Sequence, residues 1–118
     1  MITESQVLSY YKRAFPSLQS PSVARLNLIP TGWENEVYAL DLEHGHPQDR
    51  RQEALILRLY PGNGASDKAK EEFSGISLLL KAGYPVPQVY HLELDLAFLG
   101  NPFLIMERID GPVLWDLM

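Results

Sequence analysis

Apolar residues recur along the chain with two spacings, one typical of helices and one typical of strands. Near the N-terminus they recur at near-helical intervals. Thr3 precedes this segment and Gln6 stands three positions later, which is the arrangement of a capping box, while Pro16 would end the helix. We therefore predict an N-terminal helix within residues 1–18, with the apolar positions Val7, Leu8, Tyr10, Tyr11 and Phe15.

Three strand-like segments follow the predicted helix. Residues 23–30 and 36–43 indicate two strands that pair as a hairpin. Residues 53–60 are apolar at nearly every position, which indicates a central strand covered on both faces. The polar tract 44–52 is expected to form the connection between the second and third strands.

A second helix is predicted after the third strand. Residues 61–64 read Pro-Gly-Asn-Gly and indicate a turn. Ser66 or Asp67 would cap a helix that runs to about Ala82. Gly83 would end this helix, because glycine adopts the left-handed conformation of a helix C-terminus, and the prolines that follow block any continuation.

Two further strands complete the predicted order of helix, three strands, helix and two strands. They lie near residues 88–93 and 103–108, with a turn around residues 100–102. The order predicts an α+β fold, and a chain of 118 residues with 46% hydrophobic content has material for one modest core. We expect residues 1–118 to form a single domain.

Composition and charge exclude several classes of protein. The net charge of -5 and the pI near 5.1 argue against a nucleic-acid partner, which would require clustered basic residues. No cysteine is present, so disulfides and thiolate metal sites are excluded. Neither a signal peptide nor an apolar run of membrane-spanning length is visible. We expect a cytoplasmic domain with no membrane partner.

The strand spacing around Arg58 and the helix spacing around Glu72 together suggest one buried charge pair. On the third strand Arg58 shares a face with Ile56 and Tyr60. At about 100° per residue, Glu72 falls on the apolar arc of the second helix, whereas Glu71 falls outside it. A pair between Arg58 and Glu72 would offset the cost of burying either charge. The alternative is that Arg58 extends past the sheet edge while Glu72 stays half exposed.

The motifs together resemble a known family. A glycine loop precedes a strand, a basic residue lies on the third strand, an acidic residue lies in the next helix, and Gly-x-Pro-x-Pro at 83–87 leads to a strand ending in Asp110-Gly111. This succession resembles the N-terminal lobe of the aminoglycoside phosphotransferase and choline kinase family, over about residues 25–118. The resemblance implies a kinase-like N-terminal lobe with a five-stranded, mainly antiparallel sheet and an extra N-terminal helix.

The resemblance also implies a nucleotide site. Arg58 would contact the phosphates of ATP, with Glu72 orienting it. The loop from Thr31 to Asn35 would cover the phosphates, although it has one glycine where protein kinases have three; alone, it would be an ordinary hairpin turn. The last strand and the hinge that follows it would occupy residues 102–111, and their backbone groups would contact adenine. The nucleotide-binding residues implied are Gly32, Asn35, Ile56, Arg58, Glu72, Glu107 and Ile109.

The catalytic groups of such an enzyme are not found in this sequence. The resemblance places the catalytic base, the magnesium ligands and most acceptor-binding residues in a C-terminal lobe, towards which the hinge would lead. His44 and His46 could bind a metal but have no third ligand at a suitable spacing, so no catalytic or metal residue is assigned. A His-x-Asp loop and a later acidic motif after Met118 would support the enzyme, whereas a stop codon there would exclude it.

Two functions remain open from the sequence. The first is the ATP-binding lobe of a small-molecule kinase that uses magnesium and transfers the γ-phosphate to a hydroxyl acceptor, such as an aminoglycoside or a choline-like alcohol. These 118 residues alone would be inactive. The second is a non-catalytic module that binds a partner or self-associates through an exposed apolar cleft face near Ile56 and Ile109.

Overall fold

The computed structural model describes residues 2–30 and 35–109. Within them, no helix has both the length and the hydropathy needed to cross a membrane. The predicted α+β class is confirmed. The elements are α1 (Glu4–Ala14), β1 (Ser22–Ile29), β2 (Glu36–His46), β3 (Asp49–Leu59), α2 (Ala65–Lys81), β4 (Val89–Glu93), α3 (Leu96–Leu99) and β5 (Phe103–Glu107).

The described strands form a five-stranded sheet with the order β1-β2-β3-β5-β4. Each pair of neighbours is antiparallel, as predicted. β3 lies in the middle of the sheet, between β2 and β5, which agrees with its nearly continuous apolar sequence. The central strand therefore contributes side chains to both faces of the sheet.

The prediction that residues 44–52 form a polar connection is wrong. β2 and β3 continue through this tract, and the last pair of the ladder is His46 with Asp49. Polar residues suit this end of the hairpin because residues 46–54 are exposed to solvent. Arg50 links the hairpin to the segment before β1, because its Nη1 donates to the carbonyls of Ser20 at 2.7 Å and Gly45 at 3.0 Å.

The capping box at the start of α1 is confirmed. The Thr3 hydroxyl accepts from the Gln6 amide at 3.2 Å, and the Gln6 side chain accepts from the Thr3 amide at 2.8 Å. These bonds satisfy two backbone donors that a helix N-terminus leaves without partners. The helix ends at Ala14, two residues before Pro16.

α1 covers one face of the sheet with an aromatic core. The Tyr10 ring packs edge-on against Phe98 and Phe103, with centroids 5.0 Å and 4.9 Å apart. Alternate residues of the central strands complete this layer, as strand geometry requires. The buried members on the sheet are Tyr38, Leu40, Leu42, Leu55, Leu57, Leu59, Phe103 and Ile105.

α2 begins earlier than predicted. Its N-cap is Gly64, with a left-handed φ of 74°, so Ser66 and Asp67 lie inside the first turn and are not caps. Asp67 still suits this position, because a carboxylate is favoured at the positive end of the helix dipole. The four-residue helix α3 was also not predicted, and the Asp95 side chain caps it by accepting from the Ala97 amide at 2.9 Å.

The end of α2 follows the prediction. Gly83 has a φ of 88° and donates to the carbonyl of Leu80 at 3.1 Å, while Tyr84 donates to the carbonyl of Leu79 at 3.0 Å. This pair of bonds is a Schellman motif, which satisfies the last helix carbonyls. The glycine is required here because its φ is left-handed.

α2 covers the face of the sheet opposite to α1. Its buried residues Ala65, Ala69 and Ile76 pack against Ile56 and Met106 in a second apolar cluster. The described residues therefore form three layers, with α1 and α3 on one face of the sheet and α2 on the other.

Gly45 should be intolerant of substitution. Its φ is 115°, and a Cβ there would lie 2.7 Å from the Asp49 carbonyl oxygen. We expect Gly45→Ala to lower the free energy of unfolding by at least about 2 kcal/mol through backbone strain and collision. Gly75→Ala is the control, because a Cβ there meets nothing within 4 Å, and it should raise stability by about 0.5–1 kcal/mol. Urea unfolding measures the stability of both variants. Equal losses of stability would contradict the conclusion that position 45 requires glycine.

Alkaline pH should weaken the fold through two buried tyrosines. Burial and the charge of Glu93 raise the pKa of Tyr10 from 10.0 to about 12. Burial and the hydrogen bond to Glu36 raise the pKa of Tyr38 to about 12. Because the folded state holds these protons more tightly, their contribution is complete below pH 10 and is lost as the pH rises through about 12. Urea unfolding across this range should show the loss, and a Tyr10→Phe, Tyr38→Phe variant should show less of it.

Candidate functional site

The predicted contact between Arg58 and Glu72 is present. Arg58 Nη1 lies 3.3 Å from Glu72 Oε2, joining β3 to α2. Arg58 is 5% exposed and does not extend past the sheet edge, whereas the Glu72 side chain is 29% exposed. Glu71, one position earlier on α2, is exposed as predicted. The buried charge is thus balanced by a carboxylate at the rim of the helix interface.

Tyr60 completes this cluster. Its hydroxyl donates a hydrogen bond to Glu72 Oε2, the oxygen that Arg58 also contacts. The residue is 0% exposed, and burial, followed by the hydrogen bond to Glu72, raises the pKa of its hydroxyl well above the usual tyrosine value. The sequence analysis placed Tyr60 on the face of Arg58 but assigned it no role. The signal that could have found it is a tyrosine two residues after Arg58, on the same face of the strand as the predicted ion pair.

Arg58 retains donor capacity beyond this ion pair. Its Nε is buried and has no hydrogen-bond partner. A guanidinium carries five N–H donors in a planar fork that matches the oxygens of carboxylates and phosphates. An unpaired buried donor costs free energy, so an anionic oxygen supplied by a ligand would stabilise the group. Guanidinium donors of this kind match phosphate oxygens in their chemistry.

A second charge cluster lies on the same face of the sheet, nearer the β2–β3 hairpin. Asp41 of β2 is 8% exposed and pairs closely with Arg108, which follows β5. Arg25 of β1 approaches the other carboxylate oxygen, with its Nε 3.6 Å from Asp41 Oδ2. The sequence analysis missed this cluster because Arg25, Asp41 and Arg108 are far apart in the sequence and come together only when the sheet forms.

The sequence match to known families covers most of this architecture. Residues 25–118 match the phosphotransferase enzyme family. The chain belongs to this family. No curated protein matches the chain. The family region begins within β1 and includes Arg58, Glu72 and Tyr60, while α1 lies outside it. The resemblance inferred from the motif order is therefore confirmed at the level of the family, and so is a kinase-like N-terminal lobe.

The remaining residues implied by the phosphotransferase resemblance are dispersed. Gly32, like Asp110 and Gly111, lies outside the described residues, and Asn35 is half-buried just before β2. Ile56 lies two residues before Arg58 and on its face of β3. Among the predicted site residues, the structure brings Arg58 and Glu72 into direct contact.

The hinge strand is well anchored where the described residues end. The Glu107 amide donates to the Gln88 carbonyl at 2.8 Å, and the Glu107 side chain accepts from the Gln88 amide at 3.2 Å. Met106 behind it is 1% exposed, and Ile109 is half-buried. The backbone of β5 is therefore held by β3 on one side and by the segment leading into β4 on the other.

The expected exposed cleft wall at Ile56 is not observed. Ile56 is 2% exposed because it lies in the apolar cluster that α2 covers. Ile109 is half-buried. The prediction that an isolated lobe exposes its apolar face at Ile56 is therefore wrong.

The two histidines considered as metal ligands have other contacts. His44 Nε2 lies 3.0 Å from Glu53 Oε2, and His46 Nδ1 accepts from the Gln48 amide at 3.2 Å. Across residues 2–30 and 35–109, no three His, Cys, Asp or Glu side chains are grouped closely enough to hold a metal ion.

Stability should depend on Glu72 and not on its neighbour. Glu72→Gln removes the charge that balances buried Arg58, and we expect it to lower the free energy of unfolding by about 1–3 kcal/mol. Glu71→Gln makes the same chemical change at an exposed position and should alter stability by less than about 0.5 kcal/mol. Urea unfolding of the two variants checks this. If Glu72→Gln lost no more stability than Glu71→Gln, the ion pair would make no specific contribution to stability.

Proposed function

We propose that this chain is the ATP-binding lobe of a small-molecule kinase, which transfers the γ-phosphate of ATP to a hydroxyl acceptor. The observation that carries the proposal is the Arg58–Glu72 pair, with the unpaired Nε of Arg58, inside the region that matches the phosphotransferase family. Phosphoryl transfer depends mainly on positioning and on electrostatic stabilisation of the phosphates. A basic residue held by a helix carboxylate meets both requirements.

Each predicted site residue has a role in this proposal. Arg58 would donate to phosphate oxygens, and Glu72 would keep its guanidinium in place. The backbone around Gly32 and Asn35 would approach the phosphates. Glu107 and Ile109 would present backbone groups to the adenine edge. Ile56 would support the apolar surface above the base from within the sheet, since it is 2% exposed.

Magnesium and the acceptor belong to the same proposal. A bound magnesium ion would neutralise charge on the phosphates. Its ligands, the catalytic base and the groups that choose between an aminoglycoside and a choline-like alcohol would come from a C-terminal lobe beyond the hinge. This chain's own contribution would be to bind and orient the nucleotide.

Nucleotide binding should show a preference for phosphates that depends on Arg58. Calorimetric titration of the chain with ATP and magnesium should give tighter binding than titration with adenosine. Arg58→Met should reduce the ratio of the two affinities by about tenfold, the loss of about 1.4 kcal/mol expected for a charge-assisted contact. The ratio is used because any loss of folded protein affects both ligands alike.

Arg51→Met is the matched control. Arg51 lies on the same strand, at its exposed end, so the variant loses the same charge without touching the proposed site. It should keep the wild-type ratio. Equal affinities for ATP and adenosine in the wild-type chain would contradict the proposed function.

A further inference from the structure

Tyr60 occupies a position from which it can control the Arg58–Glu72 pair. Its hydroxyl and Arg58 Nη1 converge on one oxygen, Glu72 Oε2. Its backbone amide donates to the Pro102 carbonyl at 2.9 Å, which ties it to the residue before β5. Its ring belongs to the apolar cluster beneath α2. Tyr60 is therefore fixed at both its backbone and its ring, and the hydroxyl has a defined location.

Glu72 needs such a fixed donor. Its side chain is 29% exposed, and its 3.3 Å contact with Arg58 is longer than a usual charge-assisted hydrogen bond. A partly exposed glutamate has side-chain freedom that a single contact restricts only in part. The tyrosine hydroxyl adds a second donor to the same oxygen. Because this donor is neutral, the carboxylate charge remains available to balance Arg58.

We propose that Tyr60 is a positioning residue for Arg58, acting through Glu72. The hydroxyl holds the carboxylate in place, the carboxylate holds the guanidinium, and the guanidinium presents its remaining donors to a phosphate. The last step rests on the proposed function, whereas the first two concern the ligand-free chain. The proposal assigns a role to a side chain that touches no phosphate itself.

The chain offers a closely matched control. Tyr38 is also buried, at 1% exposure, and its hydroxyl donates to a carboxylate, Glu36 Oε1, at 2.5 Å. It faces the α1 side of the sheet, away from Arg58. Tyr60→Phe and Tyr38→Phe therefore each remove one tyrosine-to-glutamate hydrogen bond and keep the ring that fills the core.

The first measurement uses the ligand-free chain. Nuclear magnetic resonance relaxation of the Arg58 Nε–Hε group reports the motion of the guanidinium. Tyr60→Phe should increase this motion, whereas Tyr38→Phe should leave it at the wild-type level, even if both variants lose similar stability in urea. An unchanged Arg58 order parameter in Tyr60→Phe would overturn the proposal, whether or not the chain binds nucleotide.

The second measurement adds ligand. Tyr60→Phe should weaken the binding of ATP with magnesium by about fivefold, the equivalent of one lost hydrogen bond, and leave adenosine affinity unchanged. Tyr38→Phe should change neither affinity. If Arg58 becomes more mobile in Tyr60→Phe but the wild-type chain does not prefer ATP to adenosine, the proposed function fails and the positioning of Arg58 by Tyr60 stands. If ATP binds tightly and its affinity is the same in Tyr60→Phe as in the wild-type chain, the proposal that Tyr60 helps Arg58 to bind phosphate is overturned.

Discussion

The buried positive charge of Arg58 constrains the rest of the structure. The residue is 5% exposed in the middle of a five-stranded sheet, and an unpaired ion in such a place costs several kcal/mol. α2 therefore has to lie on the Arg58 face, with Glu72 turned towards the strand. Once placed there, α2 also covers Ile56 and Met106, so one electrostatic requirement and one hydrophobic surface favour the same arrangement.

The alternation of side chains along β3 separates packing from chemistry. Its three leucines support the aromatic layer under α1, whereas Ile56 and Arg58, and Tyr60 just after the strand, face α2. The same face holds Asp41, whose pairing with Arg108 ties β2 to the start of the hinge. Charged groups at two points on this face join β2 to the hinge and β3 to α2. The opposite face is packed mainly with apolar and aromatic side chains, and α1, which covers it, lies outside the family match.

Signals that are local in sequence predicted the structure well. The capping box of α1, the glycine that ends α2 and the two faces of β3 each depend on a few neighbouring residues, and all are present. Two of the predictions that proved wrong concern residues near solvent. Residues 44–52 read as a loop because strand prediction relies on apolar positions, yet a solvated hairpin needs none. Ser66 and Asp67 are good capping residues, but the turn before them places Gly64 at the cap.

The sequence by itself determined the order of the five strands and the two long helices, the two faces of the central strand and the membership in a phosphotransferase family, because periodicity and motif spacing are properties of the chain alone. It also suggested that Arg58 and Glu72 meet, since each is a charge on an apolar face. Only the tertiary structure decided that Tyr60 shares the Glu72 oxygen and that Asp41 lies between Arg25 and Arg108. Those contacts depend on strand order, register and helix placement, and these arise when the layers pack together.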